Sequence, residues 1–278
     1  NRLSISLNGL WDFAFVNDDY NPINKLENST LMSVPSSYND IFTTLKEREY
    51  LGLVAYEKEL STSSITDGTW RIRIGAAAHI ARCYIDGKEV MYHNGGFLPI
   101  DFPVPTKEQF RLTILLDNRL HYQTLPIATL KTDNGNETMD THFDFFNYAG
   151  IHRNVFLYHL PKDHINDIVI KTKVHGRATV SYQIDTKDKS CTIKVKDPFG
   201  TLVGKSIGAN GDILINDPIL WEIGKGNLYT LCVSTSTDYY EEQFGIRTIE
   251  IQEHHILLNG KKIYLKGFGM HEDHITLG

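Results

Sequence analysis

The run His271-Glu272-Asp273-His274 places two imidazoles and two carboxylates side by side, directly after Gly267-Phe268-Gly269-Met270. Such a cluster could line a pocket with hydrogen-bonding and titratable groups. It fits a metal site poorly, because the H-x-x-H spacing differs from the helical zinc motif, and no metal is expected. Nor do Glu272 and Asp273 make the flanking carboxylate pair of a glycoside hydrolase, since neighbours on a strand point to opposite faces. A second stretch, Thr141 to His159, reads THFDFFNYAGIHRNVFLYH and sets Asp144 among Phe143, Phe145, Phe146 and Tyr148. A carboxylate among aromatic rings is costly unless it is paired or stands at the edge of a pocket. Two readings stay open. One is a pocket-edge carboxylate; the other is a surface aspartate over buried rings, with Arg153 as its ion-pair partner. His152, His254 and His255 have no partner at a recognisable spacing and read as surface or packed histidines. Asn94-Gly95-Gly96 lacks the phosphate-loop pattern and reads as a turn. There is no G-x-S-x-G elbow.

The elements that must position these residues read as strands. Long helical patterns are scarce. TWRIRI (69–74) alternates apolar and polar. RCYIDGKEVMYH (82–93) is two runs joined by Asp86-Gly87, a strong hairpin signal because both turn positions tolerate positive φ. FRLTILLDN and RNVFLYHL are further strands, and together these predict a β-sandwich or jelly roll over residues 1–161. DIVIKTKV, RATVSYQID, CTIKVKDP, GDILIND and LYTLCVSTST follow at short intervals and predict an immunoglobulin-like sandwich over 162–247. The last segment, 248–278, opens with a hairpin about Asn259-Gly260. Its second arm fits the first strand of a parallel barrel, whose active-site residues sit at the carboxyl ends of the strands.

Composition bounds the function. The chain has 278 residues, 41% hydrophobic and 22% charged, enough for two domains and part of a third. A net charge of −6 argues against a nucleic-acid partner. No apolar run approaches the ~20 residues of a membrane helix, so no membrane partner is expected. Cys83, Cys191 and Cys232 are widely spaced in apolar runs and read as buried free thiols, which favours a reducing compartment. Asn28-Ser29-Thr30 and Asn136-Glu137-Thr138 match the glycosylation sequon, which has meaning only on a secreted eukaryotic chain.

DFFNYAGIHR (144–153), FGIRTIEI (244–251) and LLNGKKIYLKGFGMHED (257–273) together resemble the bacterial β-glucuronidases, a branch of glycoside hydrolase family 2. LNGLWDFAF, VPSSYND, VAYEKEL, HNGGFLPID and PILWEIGKGNLYTL fall in the family's order, so the resemblance spans essentially the whole chain. It implies a jelly-roll sugar-binding domain, an immunoglobulin-like sandwich and a truncated (β/α)8 barrel. It implies that Asp144 hydrogen-bonds sugar hydroxyls, that His271 lines the same pocket, and that Glu272 and Asp273 support it. Met270 stands where relatives often carry a basic residue. The implied activity is retaining hydrolysis of terminal β-D-glucuronides without a metal or cofactor. Both catalytic glutamates are expected from barrel strands beyond Gly278, so the chain alone is expected to be inactive. A homo-oligomer, dimer or tetramer, in the bacterial cytoplasm completes the expectation. The alternatives are a β-galactosidase-type relative, against which DFFNYAGIHR argues, and a non-catalytic carbohydrate-binding pair of sandwiches.

Overall fold

A computed structural model describes residues 2–62, 65, 67–133, 136–143 and 145–270. It forms two compact units, Leu3–Leu160 and Pro161–Met270, with Arg2 joined to the second.

In the first unit, six antiparallel strands run in the order Thr30–Val34, Gly9–Val16, Leu53–Leu60, Phe110–Asp117, Ile80–Ile85 and Lys88–Asn94. A second sheet orders Ser4–Ser6, Val155–Leu160, Thr69–Ile74 and Ile100–Val104. One core unites them: Trp11, Phe13, Tyr56 and Ile114 from the first sheet pack with Trp70, Ile72, Phe102 and Leu157 from the second. The period-two pattern of TWRIRI is the cause, burying Trp70, Ile72 and Ile74 on one face. Arg71 faces the other way and pairs with Asp101 at 2.6 Å. The expected turn is present, with φ of 47° at Asp86 and 82° at Gly87.

Two central strands, Leu53–Leu60 and Phe110–Asp117, break the alternation and are buried on both faces. The outer face is covered where Leu26 packs on Ala55 and Leu115. Two one-turn helices, Tyr38–Ile41 and Leu45–Arg48, follow the edge strand. The second starts on a side-chain N-cap: the Glu47 N–H donates to Thr44 Oγ1 at 3.4 Å, and that hydroxyl donates to Glu47 Oε2 at 2.6 Å. A separate hairpin, Ala128–Asp133 with Asn136–Thr141, leads into the Asp144 loop.

The second unit is a smaller sandwich. Asp167–His175, Arg177–Asp185 and Asn210–Ile215 form one sheet. Leu202–Ile207, Thr192–Lys196, Tyr229–Ser234 and Tyr239–Phe244 form the other. Val180, Tyr182 and Ile184 pack against Ile193, Val195, Leu231 and Val233. Buried Asp238 closes one end, accepting from the Ile165 N–H at 2.9 Å and pairing with Arg2 at 2.8 Å. The three cysteines are free and buried, and burial pushes the Cys83 thiol up to about 12.

The terminal hairpin turns at Asn259 (φ 50°) and Gly260 (φ 73°), as expected. Asn259 also anchors it: its N–H and side-chain oxygen bond Thr248, and its amide donates to the Trp221 carbonyl at 3.0 Å. The run that follows is not paired as a strand among the described residues. The ladder extends one bond, from the Ile263 N–H to the Ile256 carbonyl, and residues 264–270 form no strand. Tyr264, Leu265, Phe268 and Met270 are exposed there. A strand persists when neighbours pair its backbone and cover its side chains, and among the described residues nothing does either here.

Candidate functional site

Asp144, His271, Glu272 and Asp273, the site residues read from sequence, lie outside the described residues. The loop that carries Asp144 is placed on both sides of it, and its base is held with unusual redundancy. From the first helix region, the Ser36 N–H donates to the Ile151 carbonyl at 2.9 Å and the Tyr38 N–H to the Ala149 carbonyl at 3.2 Å. The Ser37 hydroxyl shares the Ala149 carbonyl at 3.1 Å, and the Ala149 N–H donates to Asn39 Oδ1 at 2.8 Å. On the opposite side, Ala78 and Gly150 exchange backbone bonds of 3.0 and 3.3 Å. VPSSYND and NYAGIHR, more than a hundred residues apart, are therefore one structural unit.

Further along the loop toward Asp144, Asn147 is gripped by side chains. Its Nδ2 donates to the Asn118 carbonyl at 3.1 Å, which leaves Oδ1 facing His79 Nε2 at 2.7 Å. That assignment makes Nε2 the protonated nitrogen of His79. Asn118 is itself saturated: Oδ1 accepts the Gly52 N–H, and Nδ2 donates to Tyr38 Oη and the Tyr50 carbonyl at 2.6 Å each. HNGGF joins the same cluster. Phe97 stands between His79 and His152, edge-on to the first and tilted to the second, with ring centroids 5.8 and 5.7 Å away.

The rings around Asp144 are not buried beneath the loop. Phe145 is 47% exposed and stacks on Phe143 at 4.3 Å, while Phe146 and Tyr148 are half-buried. Arg153, the candidate partner of Asp144, directs a long 3.4 Å contact to the Phe97 carbonyl. Beside the loop lies a cavity of about 470 Å³ lined by Phe145, Phe146, Asn147, Arg48, Tyr50 and Asn118. Its size is within the range of small-molecule sites. The carboxamides on its wall are spent on backbone and buried partners, so they serve to shape it. Arg48 packs its guanidinium 5.3 Å from the Phe146 ring. His152 is half-buried as expected, and His254 and His255 are exposed. Sequence reading passed over His79, Asn147, Asn118 and Asn39. A trace was available in Gly96, where an added Cβ would stand 2.8 Å from His79 Nδ1.

Burial, reinforced by nearby His152, holds the His79 imidazole below the ordinary histidine value, against the opposing Asn147 bond. Burial likewise depresses His152, with Arg153 adding to it. Both folded values lie under the unfolded one, so the unfolded chain binds more protons. The stability contribution is complete above about pH 6.5 and declines as pH falls through the folded values. The expected result is a drop in stability from pH 7 to pH 5 that shrinks in the double variant His79→Gln/His152→Gln. Urea unfolding at the two pH values checks it; an unchanged difference would contradict it.

With the geometry in place, comparisons with known proteins bear on what it serves. The family described as glycosyl hydrolases family 2, sugar binding domain, matches residues 5–161, and glycosyl hydrolases family 2 matches 163–247. The β-glucuronidase of Streptococcus agalactiae is 35% identical over 98% of this chain and 48% of its own length. That of Paenibacillus borealis is 35% identical over 96% of this chain and 49% of its own. Among solved structures, an uncultured Clostridium sp. β-glucuronidase aligns with TM-score 0.89 and 36% identity, covering 100% of this chain and 50% of that one. The Ruminococcus gnavus β-glucuronidase in complex with uronic isofagomine gives 0.91 and 33%, covering 100% and 50%. The chain spans about half the length of the curated relatives it matches. Among the described residues, no helix is long and apolar enough to cross a membrane.

Proposed function

The chain belongs to glycosyl hydrolase family 2, and from that premise we propose that it is the N-terminal part of a retaining β-glucuronidase. The observation that carries this reading is the site loop itself. DFFNYAGIHR, a stretch specific to these enzymes, is held at its base by VPSSYND and HNGGF, and beside Asp144 the exposed Phe145 ring stacks on the half-buried Phe143. A loop anchored so firmly at its base is suited to holding a side chain toward a ligand. Asp144 would accept hydrogen bonds from hydroxyls of a terminal β-D-glucuronide, with His271 on the same pocket and Glu272 and Asp273 behind it.

In this reading residues 1–161 are the sugar-binding jelly roll, 162–247 the immunoglobulin-like sandwich, and 248–278 the start of a (β/α)8 barrel. Later barrel strands supply the two glutamates. One protonates the leaving oxygen while the other attacks the anomeric carbon, the carboxyls standing about 5–5.5 Å apart. Water then releases the sugar with configuration retained. The three free thiols fit a cytoplasmic enzyme, and the relatives' family fits a homo-oligomer. The test is hydrolysis of p-nitrophenyl β-D-glucuronide and β-D-galactoside by the full-length protein. Glucuronide turnover is expected to dominate and to be absent from the isolated 278-residue chain. A preference for galactoside, or turnover by the isolated chain, would overturn the reading.

A further inference from the structure

His79 is 2% exposed, and its two ring nitrogens have different fates. Nε2–H is committed to Asn147, while Nδ1 is buried with no hydrogen-bond partner among the described residues. A bare buried nitrogen costs about 1–3 kcal/mol, so a residue kept only to fill space would be better served by leucine or phenylalanine. What the imidazole supplies that they cannot is a directed donor, aimed across 68 residues of sequence at Asn147. The surroundings are shaped to allow it. Gly96 has no Cβ where one would collide with Nδ1, and Phe97 presents its ring to the same imidazole. Asn147 is the nearest residue after Asp144 that both hands of a side chain hold fast. Before Asp144, the corresponding contact is a weaker one, from the Thr141 hydroxyl to the Phe143 carbonyl at 3.4 Å.

We infer that His79 is a positioning residue: through its Nε2–H bond to Asn147 it fixes the loop segment that presents Asp144. Its effect on turnover rests on the glucuronidase reading; its effect on the loop does not. Asp144 placed by a free-swinging loop would sample many positions, and ordering it on substrate binding would cost affinity. Fixing Asn147 lowers that cost for the segment that follows Asp144.

Two substitutions separate the roles. In His79→Gln the amide nitrogen occupies the region of Nε2 and keeps a donor; His79→Leu keeps bulk and loses it. In the 278-residue chain, amide exchange at Phe145–Tyr148 is expected to accelerate at least about tenfold in His79→Leu and to stay near the parent in His79→Gln. Equal protection in all three overturns the inference. In the full-length protein, His79→Leu is expected to lower kcat/KM for p-nitrophenyl β-D-glucuronide, by up to about 100-fold, with His79→Gln restoring most of it. In an Asp144→Ala background the same substitution should have no further effect, because the two residues act through one contact. Additive losses would show that His79 acts on general stability and would also overturn the inference. Absence of turnover in the parent protein counts against the glucuronidase reading alone, and the exchange measurement then decides on the clamp.

Discussion

Glu57→Ala is expected to destabilise the first sandwich by about 3–5 kcal/mol, the cost of breaking a buried charge pair from one side. Glu57 lies on the strand Leu53–Leu60 and its side chain is 2% exposed, yet it points away from the main core. Its Oε1 accepts the Leu26 N–H at 3.1 Å and its Oε2 accepts the Thr113 hydroxyl at 2.9 Å. Arg111 Nε stands 3.4 Å from Oε2, an ion pair without hydrogen-bond alignment. The same guanidinium donates to the carbonyls of Pro22 and Ile23 at 2.7 and 2.8 Å. One carboxylate thus ties the segment around Leu26 onto the sheet, and that segment covers Ala55 and Leu115. Removing it strands a buried cation, a backbone N–H and a hydroxyl together. Glu57→Gln keeps the shape and one of the two acceptor oxygens and should lose about half as much or less. Against a total of about 5–15 kcal/mol, the alanine loss is large. Urea unfolding of the chain, followed through the buried Trp11 and Trp70, measures it. A loss under about 1 kcal/mol would mean that solvent replaces the carboxylate.

Glu57 also marks where the sequence stopped being readable. VAYEKEL has the alternation of a half-exposed strand only if Glu57 faces water, and it does not. Its cover comes from a turn-rich segment some thirty residues earlier, which no local pattern connects to it. The strands that were legible, such as TWRIRI and RCYI, are those whose outer face is solvated, so that the period-two code survives. The turns were legible for a local reason too: Asp86-Gly87 and Asn259-Gly260 need positive φ, and their residue types declare it. The candidate site was legible in part. Asp144 stood out because a carboxylate between phenylalanines conflicts with burial. The clamp that holds its loop did not, because His79, Asn118 and Asn39 acquire meaning only when distant strands bring them to Asn147 and Ala149. The segment after Ile263 shows the converse limit. Its apolar character is real, but a strand is a relation between neighbours, and residues 264–270 have none among those described.

Gly150→Ala should be among the most damaging single substitutions in the chain, and its effect should reach function. Gly150 adopts φ +128°, a region that side-chain-bearing residues rarely enter. An added Cβ would lie 2.8 Å from the Ser36 carbonyl, 3.0 Å from Tyr56 Oη and 3.3 Å from the Tyr38 nitrogen. Two of these are backbone atoms: the Tyr38 nitrogen is fixed by its own bond to Ala149, and the Ser36 carbonyl belongs to the residue whose N–H bonds Ile151, so neither can retreat without disturbing the clamp. Backbone strain of this kind costs about 1–3 kcal/mol. The fold has a less costly escape than unfolding, which is to shift the 145–150 segment and with it Asp144. The expected outcome in the full-length protein is therefore a loss of kcat/KM out of proportion to the loss of stability, up to about 100-fold for a displacement near 1 Å. Gly176→Ala is the matching control, since Gly176 also has positive φ (+74°) but an added Cβ there meets nothing within 4 Å. It should cost about 1 kcal/mol and leave kcat/KM unchanged. If Gly150→Ala and Gly176→Ala proved alike in both measurements, the loop would not depend on close backbone approach. The redundancy of bonds at its base would then be a feature of folding and not of the site.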